Sequence, residues 1–374
     1  MTTTNSTGPK PGPGQDPVTP SVDAQFDAIT ADIVRPTLPT RAPLIALVAS
    51  LALGAGIAVL LGGGIVATVA LALVVFNIGL PVWSLSVEGR RTAVDRVATS
   101  LMWTGFVIAV IPLGSLVYAV VTNGVGVLSA EFFTYDMRNV IGEGGGIYHA
   151  LIGTLLMTLG ATVISVPIGI MAAIYLVEYG KGSRAAKITT FLVDVMTGIP
   201  SIVAGLFAFA LFAIFFGPGI RFGFGGSVAL SLLMIPIVVR ATEEMLKLVP
   251  DELREASYAL GVPKWRTILK VVLPTAIGGI ITGVTLAVAR VAGETAPLLI
   301  IAGSTDFTNF NLFSDRMMAL PLYIYYQYTQ PGIPPEFARE RAWGAALVLI
   351  AIVMLLNLTA RLAGRYFGAK SIKK

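Results

Sequence analysis

The sequence has no cysteine and a single histidine, His149. The first absence excludes disulfides, thiolate zinc sites and iron–sulfur ligation. The second leaves nothing from which to build a histidine-based metal centre. Charge is also scarce, with only 13% of the 374 residues being Asp, Glu, Lys or Arg. No P-loop is present. The nearest string, Gly180-Lys181-Gly182, lacks the leading glycine spacing and the Ser or Thr after the lysine. ATP, if used, is therefore hydrolysed by another polypeptide. An intramembrane enzyme would need a nucleophile–base pair or a metal cluster. Without cysteine, a second histidine or paired intramembrane aspartates, no catalytic residue, cofactor or metal is expected.

What the chain does have is apolar length, with 55% of its residues hydrophobic. Soluble domains rarely reach that balance. Several runs exceed the roughly 18 residues that mark a membrane-spanning helix. The expectation is an all-α polytopic membrane protein. Residues 1–42 are polar and lack the short apolar core and cleavage site of a signal peptide, so they read as a disordered cytoplasmic tail. Residues 43–83 form two apolar runs separated by Gly62-Gly63-Gly64, an expected membrane hairpin. Six further spans are expected, near 97–121, 150–177, 188–216, 226–242, 271–302 and 342–363. Lys and Arg concentrate in the loop with Arg90, Arg91 and Arg96, the loop with Lys181, Arg184 and Lys187, residues 249–274, and the basic tail 365–374. With eight spans these all fall on one side. The positive-inside rule makes that side, and both termini, cytoplasmic.

A polar stretch, Val249–Pro274, VPDELREASYALGVPKWRTILKVVLP, lies between two long apolar segments. Pro250 suits a helix's first turn, with Asp251 and Glu252 near its positive end. Leu253, Ala256 and Leu260 fall on one face at helical spacing. Gly261 suits the position just past the helix end, and Pro263 opens a second helix. Between Glu243 and Lys270 acidic and basic residues balance at five each. A DNA-reading helix-turn-helix would show a basic excess, so no nucleic acid is expected. An ordinary solvated loop remains the plain alternative.

Three charges fall inside or beside apolar runs: Arg240, Arg290 and Glu294. A charge in the bilayer costs about 2.5–3.5 kcal/mol on insertion scales, so such residues should face a bundle interior or a wet route. Arg290 and Glu294, four apart, are expected to pair on one helix face. The same face runs back through Ala287, Gly283 and Gly279, small residues that let helices approach closely. Two readings fit. The charges are an internal pair, with Arg240 snorkelling near a span end. Or the arginines offer guanidinium donors to a permeating oxyanion, and Glu294 keeps that binding weak.

Glu255-Ala256-Ser257, three residues, Gly261, nine residues and Val271-Val272-Leu273-Pro274 resemble the EAA signature of ABC importer permeases. Ser257 stands where the signature has a second Ala, and Val271 where it has Ile. The resemblance implies that Glu255, Ala256, Ser257 and Gly261 lie at the interface with a cytoplasmic ATPase. It further implies a type I ABC importer transmembrane domain with a six-helix core over residues 97–364, to which the hairpin is an addition. The strings GIPSIVAGL from Gly198, PIVVRATEE from Pro236 and ARVAGETAPLL from Ala289 resemble, more narrowly, the A-type permease of Pst phosphate importers. That resemblance implies a substrate pathway involving Arg240, Arg290 and Glu294. It also implies a PstC-type permease partner, two PstB-type ATPase subunits and an external phosphate-binding protein. Permeases for sulfate or molybdate share the EAA pattern, and a non-transporting sensor or scaffold is the remaining alternative.

His149 reads as an interfacial or capping residue. Gly144-Gly145-Gly146 reads as a loop rather than a phosphate cradle. The aromatic run Met317–Tyr326, in a long polar loop over 303–341, fits either a membrane interface or part of a platform for the binding protein.

Overall fold

The computed structural model describes residues 37–372, with side chains to residue 364. The expected tail, up to residue 36, and Lys373 and Lys374 lie outside the described residues. Every regular element among the described residues is helical. The chain divides between Ser115 and Leu116 into two compact bodies.

The first body starts with α1 (Ala42–Leu60) and α2 (Ile65–Val87). These two apolar helices pack as a hairpin. Gly62 makes the reversal at φ +66°, a backbone region that disfavours side chains. Close packing centres on Gly54, where a Cβ would sit 2.6 Å from the backbone N of Ala72. At the other end of α2, Glu88 collects three donors. Ser84 Oγ donates at 2.6 Å, the Leu38 amide at 2.9 Å and Arg96 Nη2 at 3.4 Å. Helix α3 (Arg90–Gly124) follows, crosses the division at Ser115, and is succeeded by the short α4 (Ala130–Thr134).

The second body is organised by α5 (Tyr148–Ile174) against α8 (Gly223–Lys247). Small residues and hydroxyls make the approach possible. Gly169 seats Val238, with only 2.7 Å to spare for a Cβ, and Ser227 Oγ donates to the Met157 carbonyl at 3.1 Å. A hydroxyl that finds a carbonyl on the neighbouring helix satisfies itself without water, as a membrane interior requires. Helix α11 (Leu273–Val291) packs on the other side of α8 and against α14 (Pro335–Ile372). Its stripe of small residues faces α8. A Cβ on Gly283 would lie 2.5 Å from Ala241 Cβ, Gly279 is covered by Met245, and Ala287 is buried.

Seven helices among the described residues are long and apolar enough to cross a membrane. The expected span 188–216 is a bent pair, α6 (Arg184–Gly198) and α7 (Ser201–Phe216), turning through 109° at Ile199-Pro200. Pro200 removes an amide from the helical ladder and disfavours helical backbone at Ile199. The expected span 271–302 is not continuous either. Helix α11 ends at Val291, and α12 (Ala296–Ile301) starts after a turn. Pro297 cannot donate to the Gly293 carbonyl, and glycine weakens the helix at the same place. The two breaks meet in space: a Cβ on Gly205 of α7 would be 2.7 Å from Pro297 Cα.

The first part of the Met317–Tyr326 run, up to Tyr323, turns inward, while Tyr325 stays exposed. Met317, Met318, Leu320, Leu322 and Tyr323 are all buried, leading into α13 (Leu320–Thr329). The Leu320 amide donates to Thr154 Oγ1 of α5 at 2.7 Å. His149 is likewise buried, at 2% exposure, with its ring edge-on to Tyr323 at 5.4 Å between centroids. It caps nothing, because α5 begins after Ile147. The glycines at 144–146 belong to a loop whose carbonyls face a cation. Arg341 donates to the Gly142 and Gly144 oxygens at 2.8 and 3.0 Å.

Candidate functional site

The polar stretch folds into two short helices, α9 (Asp251–Ala259) and α10 (Lys264–Thr267). Asp251 and Glu252 occupy the first turn of α9, where the helix dipole favours anions. Helix α9 ends in a Schellman arrangement. The Val262 amide donates to the Ser257 carbonyl at 3.2 Å, and the Gly261 amide to that of Tyr258 at 2.9 Å. Gly261 adopts φ +75°, so the reversal depends on its missing side chain. Ser257 faces inward and shares a 2.8 Å hydrogen bond with Thr267, which ties α9 to α10. Glu255 and Ala256 are exposed. So are the large apolar side chains of Leu253, Tyr258, Leu260 and Trp265. An exposed apolar patch on a polar elbow is a contact surface in waiting.

Arg254, which sequence reasoning missed, holds the elbow to the bundle. Its Nε and Nη2 donate to Glu178 Oε1 at 3.0 and 2.9 Å. Further bonds reach the carbonyls of Val249 at 2.6 Å and Leu246 at 2.9 Å, and Asp251 Oδ1 at 3.0 Å. Glu178 closes α5 in a π-helical turn over Tyr175–Tyr179, and Lys264 donates to its backbone carbonyl. Arginine and carboxylate are both buried, so each depends on the other for its charge. The two residues are 76 positions apart. No local pattern in the sequence marks Arg254 for this role.

The intramembrane charges fall into two groups. Arg240, near the end of α8, donates through Nη1 to Glu243 Oε2 at 2.7 Å and through Nη2 to Asp194 on α6. Glu243 Oε1 accepts from Lys247 at 2.7 Å. Asp194 was not expected, because it lies 46 positions from its partner. Arg290 and Glu294 differ from expectation in a second way. The end of α11 at Val291 takes Glu294 off the helix face, and among the described residues the two form no ion pair. Both instead line one cavity of about 180 Å³, together with Thr197, Ser201 and the in-helix proline Pro236. The cavity sits where the α6–α7 bend, Pro236 of α8 and the α11–α12 break meet. Irregular backbone at membrane depth occurs where it lines a cavity or is buried in protein.

A helical membrane bundle with a polar elbow and a cavity lined by charged residues has the parts of a transporter's transmembrane subunit. Sequence comparison agrees. Residues 165–373 match the family of binding-protein-dependent transport system inner membrane components, and the chain belongs to that family. It is 49% identical over 274 residues to the phosphate transport system permease protein PstA 1 of Mycobacterium tuberculosis, covering 72% of this chain and 88% of that protein. It is 42% identical over 277 residues to the PstA permease of Yersinia pestis, covering 73% and 91% respectively. The fold is shared with a chain in the crystal structure of a bacterial alginate ABC transporter in complex with a periplasmic protein. That match has 13% identity, a TM-score of 0.53 and coverage of 73% of this chain and 96% of that one. The chain is thus a multi-pass inner-membrane protein with the transmembrane fold of type I ABC importers.

Proposed function

We infer that this chain is the permease subunit of an ATP-driven importer of inorganic phosphate and forms half of its translocation route. One observation carries the reading. Arg290, on the helix that leaves the elbow, forms no ion pair among the described residues and lines a cavity between broken helices. A guanidinium offers paired donors that match a tetrahedral oxyanion. Thr197 and Ser201 supply hydroxyls beside it, and Glu294 opposes tight retention of an anion. Weak, compensated binding is what a pathway requires. The names of the relatives support phosphate as the anion.

The chain works within an ABC importer complex, and ATP hydrolysis belongs to a separate subunit. A PstC-type permease completes the pore. A pair of PstB-type ATPases takes the elbow through Glu255, Ala256 and the exposed apolar side chains around them. A phosphate-binding protein delivers substrate from outside. The basic loops, elbow and tail are cytoplasmic, and both termini lie on that side, with the α6–α7 pair counted as one crossing. The 43–83 hairpin is an addition to the importer core over 97–364.

The test is uptake of labelled phosphate, sulfate and molybdate in cells that depend on this permease. Phosphate uptake is expected to require the protein, and uptake of the other two is not. Replacing Glu255 with Ala is expected to reduce co-purification of the ATPase. Normal phosphate uptake without the permease, alongside lost sulfate or molybdate uptake, overturns the substrate. No co-purifying ATPase and no lost uptake of any anion overturns the transport reading.

A further inference from the structure

The geometry points to Asp194 as a positioning residue that holds Arg240 and competes with the permeating anion for it. This rests on the phosphate-permease reading of the same site. Arg240 and Glu243 are both on α8, one helical turn apart, but Glu243 divides its two oxygens between Arg240 and Lys247. Lys247 matches the Glu243 charge. The counter-charge left for Arg240 is therefore Asp194, which comes from a different helix.

The four groups sum to zero net charge. Without Asp194 the cluster carries an unmatched guanidinium one helical turn along α8 from Pro236 and Ile237, which line the cavity with Arg290 and Glu294. Asp194 lies four residues before Gly198, on the arm of the bent pair that leads to the cavity-lining Thr197 and Ser201. The Asp194 side chain is 59% exposed and that of Arg240 is 34% exposed. Exposed pairs of this kind contribute little to stability. This one is suited to exchange rather than to stapling the fold. An anion arriving at Arg290 meets a second arginine already occupied by a carboxylate. It gains Arg240 only by displacing Asp194, or when α6 moves away from α8.

The helix that carries Asp194 is also reached from the elbow. Arg254 grips Glu178, and a short turn, Gly180–Ser183, separates that residue from the start of α6 at Arg184. Displacement of the elbow thus reaches the Asp194–Arg240 contact through one buried ion pair and one turn. In this arrangement the ATPase end of the protein sets whether Arg240 is free.

The experiment uses the assembled transporter in lipid nanodiscs, with labelled inorganic phosphate and, in parallel, labelled sulfate. D194N is expected to raise phosphate retention about tenfold, the factor that about 1.4 kcal/mol of lost competition represents, and to lower the maximal uptake rate. D194E is expected to keep both near wild type, because the carboxylate remains. In an R240Q background D194N is expected to change nothing further. Equal retention of both anions by wild type and D194N overturns the proposal, as does a gain that survives in R240Q. Matching losses in D194N and D194E assign Asp194 a purely structural role and also overturn it. A D194N gain for sulfate with none for phosphate keeps the Asp194 role and overturns the phosphate reading.

Discussion

Arg254 on the polar elbow and Glu178 at the end of α5 form a buried ion pair, with guanidinium nitrogens 2.9 and 3.0 Å from one carboxylate oxygen. Burying two charges is costly, and their attraction only offsets this when geometry is good and remaining donors are satisfied. Here they are, since Arg254 also donates to two backbone carbonyls and to Asp251. The pair makes the elbow a rigid extension of the bundle rather than a loose loop. Force applied at Glu255 or Ala256 is then transmitted to α5 and α8.

Removing one member should be worse than removing both. Arg254→Gln leaves Glu178 buried without its partner, at a cost of roughly 3–5 kcal/mol. Limited proteolysis within residues 249–274 is expected to accelerate, and ATPase co-purification to fall. The Glu178→Gln, Arg254→Gln double variant should recover part of the loss. Unchanged cleavage in the single variant would mean the pair does not secure the elbow.

Gly261 gives a different prediction, because nothing crowds it. No atom lies within 4 Å of a Cβ built there, but its φ is +75°. Gly261→Ala therefore carries only the backbone cost, about 1–2 kcal/mol. Gly261→Asn should cost less, since asparagine tolerates this region better. Transport-coupled ATPase activity should rank wild type, Asn, Ala. An alanine variant as active as wild type contradicts the argument.

Two glycines on α11 separate flexible from rigid neighbours. A Cβ at Gly283 meets Ala241 Cβ, which is attached directly to the α8 backbone. A Cβ at Gly279 meets the Met245 side chain, which has rotamers to spare. Gly283→Ala should thus cost more, in the range of about 1–3 kcal/mol typical of overpacking. Thermal denaturation in detergent tests the order. Equal or inverted losses would show that the helices are not in close contact there.

The Glu88 junction has a defined pH dependence. Ser84, the Leu38 amide and Arg96 all donate to its carboxylate and hold it below the ordinary value of 4.5. A lowered folded value means the stabilisation is complete above about 4.5 and is lost as pH falls through the folded value. Hydrogen-exchange protection of the Leu38 amide should persist down to that range and then fall. Glu88→Gln should remove the pH dependence. Protection that is the same in both proteins across the range contradicts it.

What the sequence disclosed depended on range. The elbow was legible because Pro250, Gly261 and Pro263 act locally, on the turn that contains them. The stripe Gly279, Gly283, Ala287 was legible from helical periodicity. The Asp194–Arg240 and Glu178–Arg254 contacts were not, since residues far apart in the chain leave no local pattern. The break after Val291 had its signals in Gly293 and Pro297. The apolar run on either side of them outweighed those signals, and an Arg290–Glu294 pair was expected on a helix that stops between them. The buried run Met317–Tyr323 was misplaced for the opposite reason. Polar flanks at 303–316 and 327–341 made a core segment look external.

The most direct measurement is phosphate uptake by the assembled transporter carrying Arg290→Ala, with ATPase co-purification as the control for assembly. The account predicts a loss of uptake of at least tenfold while the subunits still associate, since the cavity loses its lining arginine but the elbow is untouched. Uptake at the wild-type rate in an intact Arg290→Ala complex would contradict it.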